Sequence, residues 1–269
     1  MPRIKLENLS QASETLLLPL YFRAAETQRP DGIIQDPKAV DLVNSLDYDF
    51  PGFKKLTFTQ ITATMRTRQF DRYTQDFLSR QPNGTVVDIG CGLDTRFYRL
   101  DNGKAEWDAL DLPEVMALRR QLLSETERYH FISSSALDFT WMDRLGNKDG
   151  HSCLFLAEGV LPYLKEREVR SLVNALRQRF PGAELVFDAL PPFQVATGRL
   201  HPALRKTTAR LYWGLRNNKE LENWGDSIRL LSEWFYFDQP EPRLGVSRLF
   251  RFFPPIGKGF KILRYRLGD

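Results

Sequence analysis

A doubly wound α/β fold with a mostly parallel sheet is what this chain of 269 residues predicts. Three observations lead there. Short apolar runs alternate with amphipathic stretches through the middle of the chain. Each run is about five residues long and bounded by Gly, Asp or Ser, as a strand buried on both faces would be. The first run enters a glycine-rich turn. Strand, helix and strand at this pace imply right-handed crossovers with helices on both faces of the sheet.

In order, the runs are Thr85–Ile89, Glu106–Leu110, Tyr129–Ile132, Ser152–Leu156 and Glu184–Phe187. Between them lie helical patterns. Pro113 suits a first helical position, and Val115, Leu118 and Leu122 then recur on one face. Val169, Leu172, Val173, Leu176 and Phe180 repeat that stripe after Glu166, until Pro181-Gly182 ends it. Residues 1–84 read as mainly helical, punctuated by Pro30-Asp31-Gly32 and Pro51-Gly52. Residues 190–269 start with Leu190 and Pro191-Pro192 and pass through Trp213, Trp224 and Trp234. They end in Lys261–Arg266, whose alternating apolar and basic side chains predict a half-solvated edge strand. No repeat breaks the chain into units. The expected organisation is one domain over 1–269: a helical cover (1–84), a cofactor-binding core (85–189), a substrate-side insertion (190–230) and C-terminal strands (231–269).

Composition narrows the function. Hydrophobic residues make up 42% and charged residues 27% of the chain, which supports an ordered core. Two cysteines, Cys91 and Cys153, are too few for a disulfide framework or a Cys-rich metal site and point to a reducing, cytoplasmic setting. His130, His151 and His201 are spaced too widely to suggest a metal-ligand pair, so no metal is expected. The apolar stretch Leu16–Phe22 is broken by Pro19 and far shorter than the roughly 20 residues of a membrane span. Neither a secretory leader nor a membrane partner is expected. The net charge of +4 is uneven, because residues 199–269 hold 14 basic against 7 acidic side chains. That excess fits a solvated surface or an acidic ligand, and nothing in it matches a nucleic-acid-binding motif.

The informative stretch is Val86-Val-Asp-Ile-Gly90-Cys-Gly92-Leu-Asp94-Thr95-Arg96. Gly90 and Gly92 permit positive φ and let a ligand approach the backbone. In a doubly wound sheet this turn lies at the carboxyl ends of the strands, where ligands bind. The third glycine of a dinucleotide fingerprint would fall at Thr95, so that fingerprint is incomplete. Asp88 and Asp94 bracket the turn with negative charge that would repel a pyrophosphate but suit an ammonium and a sulfonium. Asp111 closes the second strand, where a carboxylate accepts hydrogen bonds from both ribose hydroxyls. One ribose, positive charge and no phosphate describe S-adenosylmethionine.

Five stretches carry a family resemblance: Ser13–Glu26, Asp36-Pro-Lys-Ala-Val40, Asp88–Leu100, Asp111-Leu-Pro-Glu-Val115 and Ala157-Glu-Gly-Val-Leu-Pro-Tyr-Leu164. Through them the chain resembles the leucine carboxyl methyltransferase family, and especially its bacterial branch of tetracenomycin-type polyketide O-methyltransferases. The resemblance implies a seven-stranded Rossmann-like methyltransferase sheet. It also implies cofactor contacts: Arg66, ahead of a helix over Phe70–Arg80, on the methionine carboxylate, with Arg68 as the alternative; Asp88, Gly90, Cys91, Gly92 and Asp94 around the methionine end; Asp111 and Leu112 on the ribose and adenine; Glu158 on the amino group. Family members often place Asp-Leu-Arg beside the adenine, where this chain has Ser135, Ala136 and Leu137.

The implied reaction is in-line displacement of the methyl group onto a hydroxyl or carboxylate of a small molecule, polyketide-like or another metabolite. Alignment of the reactants in a dry site is its main requirement. A carboxylate needs no base, whereas a phenol or alcohol benefits from one. Tyr163 is the candidate for positioning the acceptor, and His130 and His201 are the histidines open as bases. Two alternatives stay open: methylation of a protein C-terminal carboxylate, and cofactor binding without catalysis. Residues 190–230 are expected to cover the methyl side, with Arg199, Arg205 and Arg210 available to an anionic acceptor.

Overall fold

Asp36 shows how local sequence starts an element in this protein, whose computed structural model describes residues 3–5, 16–145, 152–198 and 210–269. A short strand, β1 (Ile4–Lys5), and the helix α1 (Leu17–Thr27) precede it. Its carboxylate accepts the Ala39 N–H at 3.0 Å and caps α2 (Pro37–Ser45), whose first residue is a proline. β2 (Leu46–Asp47) then pairs in parallel with β1. The long helix α3 (Thr57–Arg80) follows. Thr64 and Thr74 lie on its buried side, and their hydroxyls donate to carbonyls one turn back, so neither lacks a partner.

The remaining elements are β3 (Thr85–Ile89), α4 (Arg96–Leu100), β4 (Glu106–Asp111), α5 (Pro113–Leu122), β5 (Tyr129–Ser133), β6 (Cys153–Ala157), α6 (Glu166–Arg179), β7 (Ala183–Ala189), α7 (Pro192–Thr197), β8 (Ile228–Phe235), α8 (Pro254–Gly257) and β9 (Lys261–Leu267). Seven of these strands form one sheet in the order β5-β4-β3-β6-β7-β9-β8. The first five run parallel, and β9 lies antiparallel to both β7 and β8. Alternate strand residues feed two cores. Val86, Leu154, Val186 and Ile262 pack with α1 and α3, through Leu17, Met65 and Phe77. Val87, Phe155, Leu185 and Leu263 pack with α6 and with Trp213 and Trp224 of the segment after α7. The helical N-terminal part thus covers one face, and the predicted parallel α/β sheet is present with all five expected core strands.

Two expectations are corrected. Lys261–Arg266 is not an edge strand: β9 sits between β7 and β8, and β8 forms the edge. Its basic residues are tolerated inside because Arg264 is paired with Glu184 of β7 (2.6 Å) and with Asp76 of α3 (2.6 Å). Arg66 does not precede a helix starting at Phe70 but is already inside α3, which starts at Thr57.

Candidate active site

The carboxyl ends of β3, β4 and β6 and the turn after β5 border one cavity of about 620 Å³. The turn after β3 forms its floor. There the N–H groups of Gly90 and Cys91 both donate to Leu110 O (2.8 and 3.1 Å), which ties the turn to the end of β4. Gly90 and Gly92 have φ of +65° and +48°. A Cβ on Gly90 would also lie 2.5 Å from Val160 Cγ2, so this position accepts only glycine. Asp111, last residue of β4, accepts the N–H groups of Gly92 and Leu112, both at 2.7 Å. Each of its oxygens keeps a lone pair, and the residue lines the cavity.

Beneath the turn lies a buried ion network. Arg96, its side chain 1% exposed, meets Asp71 (2.8 Å), Asp94 (2.6 Å) and Glu158 (2.6 Å). Arg99 adds Asp36, Asp71 and Asp94 at 2.7, 2.9 and 3.3 Å. Arg23 of α1 reaches Asp36 (2.9 Å) and the Leu93 carbonyl (2.7 Å). From α5, Arg119 donates to the carbonyls of Gly92 (2.7 Å) and Asp94 (2.8 Å) and to the Tyr129 hydroxyl, pinning the turn from below. Arg66 reaches Glu158 (3.1 Å) and Asp188 at the end of β7 (3.0 Å).

These neighbours set the protonation of the cavity wall. Burial raises the Asp88 carboxyl, and the adjacent Asp94 charge adds to this, so that it is pushed up to about 8. Burial also opposes ionisation of Asp94 and Glu158, but nearby guanidiniums outweigh it and hold both below the usual carboxylate range. Asp111 is raised by burial, against the two N–H groups it accepts. Burial likewise raises the Tyr163 phenol, so at neutral pH it is a hydrogen-bond donor and not a base.

The twelve residues proposed as cofactor contacts and Tyr163 all line this one cavity: Arg66, Asp88, Gly90, Cys91, Gly92, Asp94, Asp111, Leu112, Ser135, Ala136, Leu137, Glu158 and Tyr163. Arg68 does not line it; Arg72, Glu241 and Arg243 surround its charge instead. Leu16, Pro19 and Arg23 close the cavity from the N-terminal side, and Arg210 and Tyr212 close it from the late insertion. Arg199, Arg205, His151 and His201 lie outside the described residues. His130 is far from the chemistry, beside Glu106 near the opposite ends of β4 and β5. Sequence reasoning missed Asp188 and the charges of Arg23, Asp36, Asp71, Arg96, Arg99 and Arg119. One signal was available for Asp188: it follows Leu-Val-Phe near the end of its strand much as Asp88 follows Val-Val in β3.

The donors suit S-adenosylmethionine. Carboxylates flank the place for a sulfonium and an ammonium, Asp111 offers free lone pairs to a ribose, and Leu112, Ala136 and Leu137 offer an apolar slot to a purine. Comparisons agree with this chemistry. The family model for leucine carboxyl methyltransferase matches residues 17–177. The tetracenomycin polyketide synthesis O-methyltransferase TcmP of Streptomyces glaucescens is 30% identical over 266 residues, covering 96% of this chain and 97% of that protein. An S-adenosyl-L-methionine-dependent methyltransferase of Gibberella zeae, dpfgK, is 29% identical over 237 residues, 80% of this chain and 78% of that one. Among solved structures, a DUF574 family protein from Streptomyces avermitilis superposes with a TM-score of 0.58 at 12% identity, covering 94% of this chain and 96% of that one. This last likeness concerns the fold.

Proposed function

The chain belongs to the leucine carboxyl methyltransferase family and is an S-adenosylmethionine-dependent methyltransferase, and from that premise we propose that it methylates an oxygen of a small molecule, with an already ionised carboxylate as the preferred acceptor. Bound in the cavity, the cofactor supplies an electrophilic methyl group: the acceptor oxygen gains the methyl, the sulfur–carbon bond breaks, and S-adenosylhomocysteine is the other product. The chain's own residues bind, orient and exclude water. In this reading Asp111 and Leu112 hold the ribose, and Leu112 also packs one side of the purine with Ser135, Ala136 and Leu137. Asp88, Asp94, Glu158 and Arg66, with the backbone of Gly90, Cys91 and Gly92, hold the methionine end.

One observation carries the choice of acceptor. Arg210, Tyr212 and Tyr163 line the cavity together and bring it a guanidinium and two phenol hydroxyls. The Tyr163 phenol stays protonated and offers a neutral alcohol no base. An acceptor already carrying negative charge needs none, and it meets the Arg210 guanidinium and the Tyr163 hydroxyl as a cation and a donor. Specificity at the methyl side then belongs to the segment 190–230 and to the N-terminal helices opposite. A cytoplasmic setting is part of the proposal, supported by the low cysteine content of two, Cys91 and Cys153, both buried. Among the described residues no helix is long and apolar enough to cross a membrane.

The test is incubation with methyl-labelled cofactor and three acceptor sets: small aromatic carboxylic acids, phenols, and peptides with a free C-terminal carboxylate. Label recovered as base-labile esters of the small acids is expected. Label confined to the peptides or to the phenols would overturn the proposed acceptor class, and binding without transfer to any set would point to cofactor binding alone.

A further inference from the structure

Glu158 is crowded. Its Oε1 accepts from Arg66 Nε (3.1 Å) and from the Thr67 hydroxyl (2.8 Å), and its Oε2 accepts from Arg96 Nη2 (2.6 Å). Three donors thus occupy most of this carboxylate, and a cofactor ammonium arriving at Oε1 competes with the two already there. Arg96 is locked, with its side chain 1% exposed and three carboxylates around it. The Arg66 side chain is 19% exposed and lines the cavity, so it is the donor free to move.

Asp188 determines where it moves. One of its oxygens accepts the Gly159 N–H at 2.5 Å, which fixes the carboxylate against the turn that follows β6. The other oxygen accepts from Arg66 Nη1 at 3.0 Å. The guanidinium lies over Gly159, which has φ of +69°; a Cβ there would sit 3.3–3.6 Å from Arg66 Nη2, Nη1 and Cζ. Glycine therefore gives the guanidinium its resting place.

We propose that Asp188 is a positioning residue that shares the Arg66 guanidinium with Glu158 and retains it when the cofactor binds, so that Glu158 Oε1 is released to the cofactor's ammonium and Arg66 is presented to the cofactor's carboxylate. Without the Asp188 charge, Arg66 has Glu158 as its one remaining carboxylate and competes with the ammonium for it. The effect of Asp188 on binding is then exerted through Arg66 and only on ligands that carry the amino-acid end. This rests on the cofactor reading above.

Two probes separate positioning from a plain structural role. S-adenosylhomocysteine carries the ammonium and carboxylate, whereas methylthioadenosine carries only the nucleoside and a thioether. Asp188→Asn keeps an oxygen for the Gly159 N–H and removes the charge. Calorimetry on this variant is expected to show about tenfold weaker S-adenosylhomocysteine binding, the size expected for one charge-assisted hydrogen bond, with methylthioadenosine binding unchanged. In an Arg66→Leu background the same substitution is expected to have no further effect. Equal losses for both probes, no loss for either, or additive losses in the double variant would each overturn the proposal. Failure of the unaltered protein to bind either probe would instead overturn the cofactor reading, and the proposal with it.

Discussion

At its inner end the cavity is walled by side chains that answer one another across α1, α3, α4 and the strand ends, whereas at its outer end Tyr212 is 51% exposed and Arg210 stands in solvent. The inner charges are paired before any ligand arrives, so the geometry there does not wait on binding. Among the described residues no comparable lattice holds the outer pair. The difference separates two jobs. In the proposed reading, the end that grips the cofactor is built into the ion network, and the end that selects the acceptor stands at the surface on a segment anchored by the buried Trp213 and by the Tyr212 and Trp213 N–H groups on Pro162 O. Chemistry is therefore expected to survive changes at the mouth that would be ruinous at the floor.

The sharpest way to break this contrast is at its hub. Arg96→Ala leaves Asp71, Asp94 and Glu158 short of a buried partner, and removing one member of a buried ion pair costs about 3–5 kcal/mol. A fall in Tm on the order of 10 °C is expected by thermal unfolding. A shift of a degree or two would mean that the network is not what holds the floor. Next in size is Asp111→Ala, which removes the carboxylate proposed for the ribose. Hydrogen bonds to a charged group contribute about 1.5–3 kcal/mol each, so cofactor affinity is expected to fall at least tenfold by calorimetry. Unchanged affinity would remove Asp111 from the ribose site.

At the mouth, Arg210→Gln is expected to raise KM for an anionic acceptor about fivefold while cofactor affinity stays constant. If cofactor affinity fell as well, the two ends would not be independent. The smallest effect is in pH. Asp88, pushed up to about 8 by burial and by Asp94, is mostly protonated at pH 7, and a cationic ligand favours its ionised form. Cofactor binding is therefore expected to release a fraction of a proton at pH 7 and to strengthen from pH 6 to 8, levelling above that. Calorimetry in buffers of different ionisation enthalpy reads the proton directly. Asp88→Asn should release none, and equal release from both proteins would assign the proton elsewhere.

The same divide separates what the sequence made legible from what it hid. Nine of the thirteen cavity residues sit at or just after strand ends, in 88–94, 111–112 and 158–163, where the signal is local: an apolar run, then a glycine or a carboxylate. Arg66, Ser135, Ala136 and Leu137 carry no such signal and are named from the family resemblance. The ion network carries no such signal. Arg96 and Asp71 are 25 positions apart and Arg66 and Asp188 are 122 apart, and nothing in either neighbourhood names the partner. Lys261–Arg266 shows the same limit from the other side. Alternating apolar and basic residues mean solvent on one face unless remote acids cancel the charges, and here Glu184 and Asp76 do so from 80 and 188 positions away. The resemblance places Arg66 ahead of a helix starting at Phe70, whereas α3 starts at Thr57: burial against the sheet overrides the weak helix preference of the threonines before Phe70.

The strand order has a consequence for synthesis. On the ribosome β8 emerges before β9, yet its only neighbour in the sheet is β9. Until residues 261–267 are made, β7 presents a bare edge of N–H and C=O groups, and β8 has nothing to join. Closure of the sheet is thus a late event that draws together segments translated far apart, a pairing slow by nature. The nascent chain carries an adhesive edge for the interval between making β7 and making β9, and this window, more than the finished enzyme, is where a chaperone would matter.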